Sequence, residues 1–171
     1  MLAARDRAML FLFLDSFIRL EECSHLTIGD IDLDRQRVLV QKTKTGKPRL
    51  AGFGPQTKKA LWRYLGLRGD RLGHDALWVT EEGHPLSKHG VQEIMRCLKH
   101  NAGLNHLRGS IHKLYHTGAT ITLKHTRDMK GLKLLLGHST LAMTERYTKF
   151  IEVEDALKAY DGKGPLDWLR S

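Results

Sequence analysis

The run AMLFLFLDSFI, from Ala8 to Ile18, constrains the fold more than any other stretch. It is too short to cross a bilayer, and Asp15 and Ser16 interrupt it. An apolar run of this kind belongs inside a protein, so residues 4–18 are expected as a buried helix. A chain of 171 residues can close a core over such a helix, and one compact domain spanning 1–171 is expected. Arg5, Asp6 and Arg7 precede the run without a small-residue cleavage signal, so no signal peptide is expected. Two cysteines, Cys23 and Cys97, make no disulfide scaffold; a reducing, cytoplasmic setting is the simplest reading.

The remaining segments read as follows. RLEECSHL (19–26) predicts a short amphipathic helix carrying Leu20, Cys23 and Leu26 on one face. Turn formers in TIGDIDLDRQ lead into the β-rich RVLVQ (37–41); KTKTG turns and KPRLAGF returns, which predicts a hairpin. Pro55 opens a helix closed by Gly66 or Gly69. ALWVT (76–80) predicts a short strand, and Ser87 caps a helix through about Leu98, with Gly103 ending it. Residues 111–125, 128–136, 140–148 and 151–160 predict four more helices, and Trp168 and Leu169 anchor an irregular tail. The expected class is α+β: mostly helical, with a small three-stranded antiparallel sheet.

Charge narrows the partner. There are 28 Lys and Arg against 19 acids, a formal net charge of +9 and a pI near 9.7. That balance suits a polyanion, most simply nucleic acid; a solvated basic surface without a partner is the alternative. Lys42, Lys44, Lys47 and Arg49 cluster with no acid among residues 41–49. Aromatic residues are only 7%, so stacking on single-stranded bases is not the expected mode.

IHKLYHTGAT (111–120) places His112 and His116 one helical turn apart. Such a pair can ligate a metal, pack structurally, or belong to a catalytic set. A zinc hydrolase of the HExxH type needs a glutamate after the first histidine, where this chain has Lys113, and no cysteine cluster offers other ligands. No metal and no cofactor are therefore expected. Further on, LLGHSTLAMTERYT (135–148) carries His138 after Gly137 and, nine residues later, Tyr147.

Taken in order, these residues resemble the catalytic domain of the tyrosine recombinase (phage integrase) family. Its pattern is an arginine in a GLRxxE box, a lysine on a β-hairpin, an HxxRH box and LGHxxxxxTxxYT. Arg19 and Glu22 fill the first box, Lys44 the hairpin, and His112 and His116 the second box. Gly137, His138, Thr144 and Tyr147 fill the last, so the resemblance runs from about residue 4 to 160. It implies a tyrosine-recombinase-like fold and a site-specific recombinase or integrase of a mobile genetic element, phage, bacterial or archaeal. It also implies double-stranded DNA as substrate and tetrameric self-assembly on it, with no membrane partner. By that resemblance Tyr147 attacks a phosphodiester and keeps the bond energy in a 3′-phosphotyrosyl link, so strands rejoin without a high-energy cofactor. Arg19 forks onto two phosphoryl oxygens and Lys44 protonates the leaving 5′-oxygen. His112 and His138 hydrogen-bond the phosphate, and His116 handles the tyrosine proton or orients its neighbours. Lys42, Lys47, Arg49 and Arg146 are the candidate DNA-backbone cations.

The chain departs from the pattern twice. Phe17 and Ile18 stand where the family has Gly-Leu, and Tyr115 stands where the second box has arginine. A tyrosine donates one neutral hydrogen bond. Losing a charge-assisted donor to an oxyanion costs about 3–4 kcal/mol, or roughly 10²–10³ in rate. Three readings stay open: a slow recombinase with a displaced cation, a decayed relative that keeps the fold and binds DNA, or an introduced substitution. Tyr115 is also compatible with a plain core position beside Ile111 and Leu114. Tyr64 and Tyr160 are poor nucleophile candidates, lying among apolar neighbours with no histidine upstream. The family's N-terminal core-binding domain, which closes a clamp on DNA, is not expected within this chain.

Overall fold

The computed structural model describes residues 1–41, 43, 46–69, 73–106, 112–138, 140–145 and 147. The chain divides into two compact units, Met1–Gly118 and Ala119–Ser171.

The first unit is built on helix α1, Leu2–Ser16. Ala8, Met9, Leu12 and Phe13 are all fully buried, as an apolar helix requires. The helix ends two residues earlier than the apolar run suggests. The Ser16 hydroxyl donates to the Leu12 carbonyl at 2.6 Å, and Phe17 turns into the left-handed region at φ 52, ψ 32. Asp15 then leaves its own helix to serve another. Its carboxylate accepts from the Gly54 amide at 2.8 Å and the Thr57 hydroxyl at 2.6 Å. Both lie at the start of α3, Pro55–Arg68, whose preceding residue Gly54 has no side chain to cap it. Gly69, at φ 69, closes α3 as expected.

Between these helices come α2, Leu20–Ser24, a 3-10 turn over Ile28–Asp30, and a sheet of β1 (Ile31–Asp32), β2 (Arg37–Val40) and β3 (Arg49–Gly52). The strands run antiparallel in the order β1-β2-β3, with Ile31 opposite Val38 and Val38 opposite Ala51. Val38, Val40 and Ala51 face the core while Leu39 and Leu50 face outward. Helix α4, Lys88–Asn101, starts at Ser87, whose hydroxyl accepts from the Gly90 amide at 3.1 Å.

The three-stranded antiparallel sheet is present, but its third strand is not the expected one. Residues 76–80 make only isolated bridges, Thr27 to Ala76 and Val79 to Pro85. Side chains supplement the few backbone bonds there. Tyr64 donates to the Leu77 carbonyl at 2.9 Å and accepts from the Val79 amide at 3.3 Å. The buried Arg68 guanidinium gathers the carbonyls of Gly69, His74 and Ala76. Tyr64 also stacks on Trp78 at 5.4 Å, so it is a core pillar. Burial pushes its phenol up from the ordinary value.

Helix α5 spans His112–Thr126, and the boundary between the units falls within it. In the second unit, Asp128 caps α6, Met129–Leu136, by accepting from the Gly131 amide at 2.8 Å. Residues 142–145 are helical, as expected for part of 140–148. The expected helix 151–160 and the anchors Trp168 and Leu169 lie outside the described residues. Among the described residues, no helix is long and apolar enough to cross a membrane.

Replacing Asp15 by alanine removes the carboxylate that accepts from Gly54 and Thr57 at the head of α3. Urea unfolding should show a loss of about 1–2 kcal/mol. Asp15→Asn, which keeps an acceptor oxygen, should recover a good part of it.

Candidate active site

The first box is organised by Glu22, whose side chain is only 2% exposed. One carboxylate oxygen accepts from the Arg19 amide at 2.8 Å and from Arg49 Nη2 at 2.8 Å. The other accepts from Arg19 Nη1 at 3.0 Å. The spacing of three residues in RLEE is a helix-capping geometry: Arg19 precedes α2, and Glu22 reaches back to its amide. A carboxylate this buried needs such partners. Arg19 is held at its base, yet its side chain stays 33% exposed.

Arg49 has a role that its place in the basic cluster did not reveal. Its side chain is 14% exposed and turned inward, onto Glu22 and, at 3.1 Å, the Phe17 carbonyl. It ties β3 to the first box. Nearby, Gly46 (φ 70) and a bond from the Thr43 hydroxyl to the Lys47 carbonyl at 2.8 Å shape the hairpin turn, on which Lys47 is exposed. Lys42 and the expected general acid Lys44 lie outside the described residues.

The second box opens α5. The backbone of His112 is helical, and its side chain lies outside the described part. Tyr115 is buried at 7% exposure and His116 is half-buried. The Tyr115 ring meets Phe17 edge to face, with centroids 6.2 Å apart and planes at 82°. The first and second boxes are thus brought together through the two residues that depart from the family pattern. Gly118, one turn on, is where α5 meets α1: a Cβ there would lie 2.2 Å from the Leu14 carbonyl oxygen and 3.1 Å from the Phe17 ring.

The last box sits in the second unit and is built by a helix ending. Gly137 adopts φ 65; its amide bonds the Leu134 carbonyl at 3.1 Å, and the His138 amide bonds that of Lys133 at 3.1 Å. These two bonds are the Schellman pattern, in which glycine supplies the left-handed turn. The residue after that glycine is His138, only 7% exposed. Its Nδ1 lies 3.0 Å from the hydroxyl of the fully buried Thr144. Tyr147 follows one helical turn later and is 4% exposed. The pairing of Thr144 with His138 is not legible in the sequence, where Thr144 is only a motif position and His138 a candidate phosphate ligand. Arg146 lies outside the described residues. No group of three or more His, Cys, Asp or Glu that could hold a metal ion occurs among the described residues.

Solved recombinases share this fold. XerA recombinase matches at a TM-score of 0.77 and 29% identity, over 85% of this chain and 52% of that one. XerH bound to a palindromic difH substrate matches at 0.75 and 24% identity, over 92% of this chain and 46% of that one. In sequence, tyrosine recombinase XerC of Chromohalobacter salexigens is 36% identical over 167 residues, 96% of this chain and 54% of the relative. XerC of Bacillus subtilis is 36% identical over 150 residues, 84% of this chain and 49% of the relative. The phage integrase family pattern matches residues 1–152. The chain belongs to the phage integrase family, that of the tyrosine recombinases, and spans about half the length of the curated relatives it matches.

Glu22→Ala should leave two guanidinium groups facing each other without their shared counter-charge. The expected loss is about 3 kcal/mol in chemical unfolding, the range for breaking a buried ion pair. Glu22→Gln, which keeps the shape, should lose clearly less.

Proposed function

We propose that this chain is the catalytic part of a site-specific DNA recombinase that cuts and rejoins double-stranded DNA through a 3′-phosphotyrosyl intermediate. The observation that carries this reading is the buried set His138, Thr144 and Tyr147, kept on the fold of a family whose members are recombinases. XerH and lambda integrase, structural relatives by fold, are each described bound to DNA.

In this reading Tyr147 Oη attacks the phosphorus, and its proton passes to the side of His116. The P–O5′ bond breaks, and the 5′-oxygen leaves with a proton from Lys44. Reversal by another 5′-hydroxyl rejoins the strand. Arg19, pre-aimed by Glu22, stabilises the charge on the non-bridging oxygens, and His112 and His138 donate to them. Thr144 anchors the Nδ1 side of His138, and a hydroxyl donating to Nδ1 would leave the N–H on Nε2, the donor that a phosphate needs. Tyr147 is nearly covered, so attack requires its segment to shift when DNA engages. The protein works in the cytoplasm, assembled on DNA as a tetramer, together with the clamp-closing half characteristic of the family. Tyr115, at the position of the missing arginine, predicts slow chemistry.

A second reading, a DNA-binding relative without catalysis, draws on one observation: the residue in the arginine's place is buried against Phe17. A nicked suicide substrate separates the two. Wild type should form a covalent adduct that survives denaturation and disappears in Tyr147→Phe. DNA binding with no adduct from wild type would select the non-catalytic reading.

Binding should also be salt-dependent. With a net charge of +9, each phosphate neutralised adds about −0.9 to the slope of log K against log salt. Lys47→Ala, on the exposed hairpin turn, should reduce the slope by about 1, measured by fluorescence anisotropy.

A further inference from the structure

The two departures from the family pattern, Phe17 for glycine and Tyr115 for arginine, touch each other. We propose that they are one coupled aromatic replacement, in which Phe17 is the positioning residue that decides which side chain position 115 can hold. The proposal rests on the recombinase reading for its catalytic consequence, though not for the coupling itself.

The backbone gives the first argument. Phe17 sits at φ 52, ψ 32, a conformation that strains any L side chain and suits glycine. Strain of this kind persists only where surrounding contacts enforce it. Those contacts are on both sides of the residue. Its carbonyl accepts from Arg49 Nη2 at 3.1 Å, which fixes the main chain to the clamp that also holds Glu22. Its ring, 3% exposed, packs edge to face with Tyr115.

The second argument is steric. Beside the Phe17 ring lies Gly118 of α5, where a Cβ would fall 3.1 Å from the ring's Cε1 and 2.2 Å from the Leu14 carbonyl oxygen, so a side chain at 118 would collide with this corner. Tyr115 in turn stands edge-on to His116, with centroids 5.5 Å apart, so its ring links the first box to the second-box histidine.

A guanidinium at position 115 would enter a nearly water-free site walled by a phenyl ring, where burying a charge is unfavourable. With glycine at position 17, the wall is gone, the backbone strain is relieved, and a cation has room and water. The original pair and the reverse pair are each consistent; the mixed pairs are not.

The test is a double-mutant cycle on the chain as it stands: wild type, Phe17→Gly, Tyr115→Arg and Phe17→Gly/Tyr115→Arg. Two readouts are taken, the thermal midpoint and the rate of covalent adduct formation on a nicked duplex. Tyr115→Arg alone should lower the midpoint by about 5 °C or more, and the double variant should regain at least half of the summed losses. In adduct formation Tyr115→Arg alone should be no faster than wild type, while the double should be faster by about 10²-fold. DNA affinity should stay within about threefold throughout, because one cation is a small part of the electrostatic footprint. Should the double variant fail to fold, Phe17→Ala/Tyr115→Arg supplies the same comparison with a small side chain at 17. Additive midpoint shifts, or an adduct rate for Tyr115→Arg alone that equals the double, overturn the proposal. Coupled midpoints with no adduct in any variant support the pairing and overturn the strand-transfer reading.

Discussion

The first unit depends on one buried carboxylate. Glu22 holds both the backbone amide and the guanidinium of Arg19 and pulls Arg49 of β3 inward, and Arg49 in turn binds the carbonyl of Phe17. One negative charge thus serves two guanidinium groups. The cluster keeps a net positive charge beside apolar surroundings, where a charge is felt more strongly than in water. Of the two cations, Arg19 is the more exposed, 33% against 14%. The surplus charge is therefore presented outward at Arg19. A site for a phosphodiester needs that arrangement: a cation aimed by the protein, with its neutralising partner buried behind it.

The order of residue types that matches the family pattern was legible in the sequence, and so was most of the helical framework. Helix α1 was legible because its second half is an almost unbroken apolar run. Its end was not, because nothing about a phenylalanine announces a left-handed backbone; the strain at Phe17 is imposed by contacts from Arg49 and Tyr115, far along the chain. Strand β1, two residues long, was invisible as a strand because so short an element carries no period to read. The segment 76–80 looked like a strand by composition, but its polar backbone groups are taken up by Tyr64 and Arg68.

The site divides in the same way. Gly137 is legible because a glycine after a periodic apolar run marks a helix end. Arg49 was read as one more surface cation, since a charge count carries no direction; the structure turns it inward. The hydrogen bond between His138 and Thr144 joins residues six apart in sequence, a spacing that no helical rule pairs. Contacts of this kind depend on how a chain leaves a turn, and the turn is where sequence patterns say least.

The ending of α6 has one more consequence. His138 owes its place to main-chain geometry: a left-handed glycine and two backbone bonds carry the following residue to a fixed point beyond the last turn. Its address is thus counted backward from the end of the helix and does not depend on where the helix began. Lengthening or shortening α6 by a turn would move the imidazole by about 5.4 Å while leaving that ending intact. His138, Thr144 and Tyr147 form a cassette carried on a helix terminus. Evolution can transplant such a cassette whole, onto helices of different length, without re-inventing the contacts inside it.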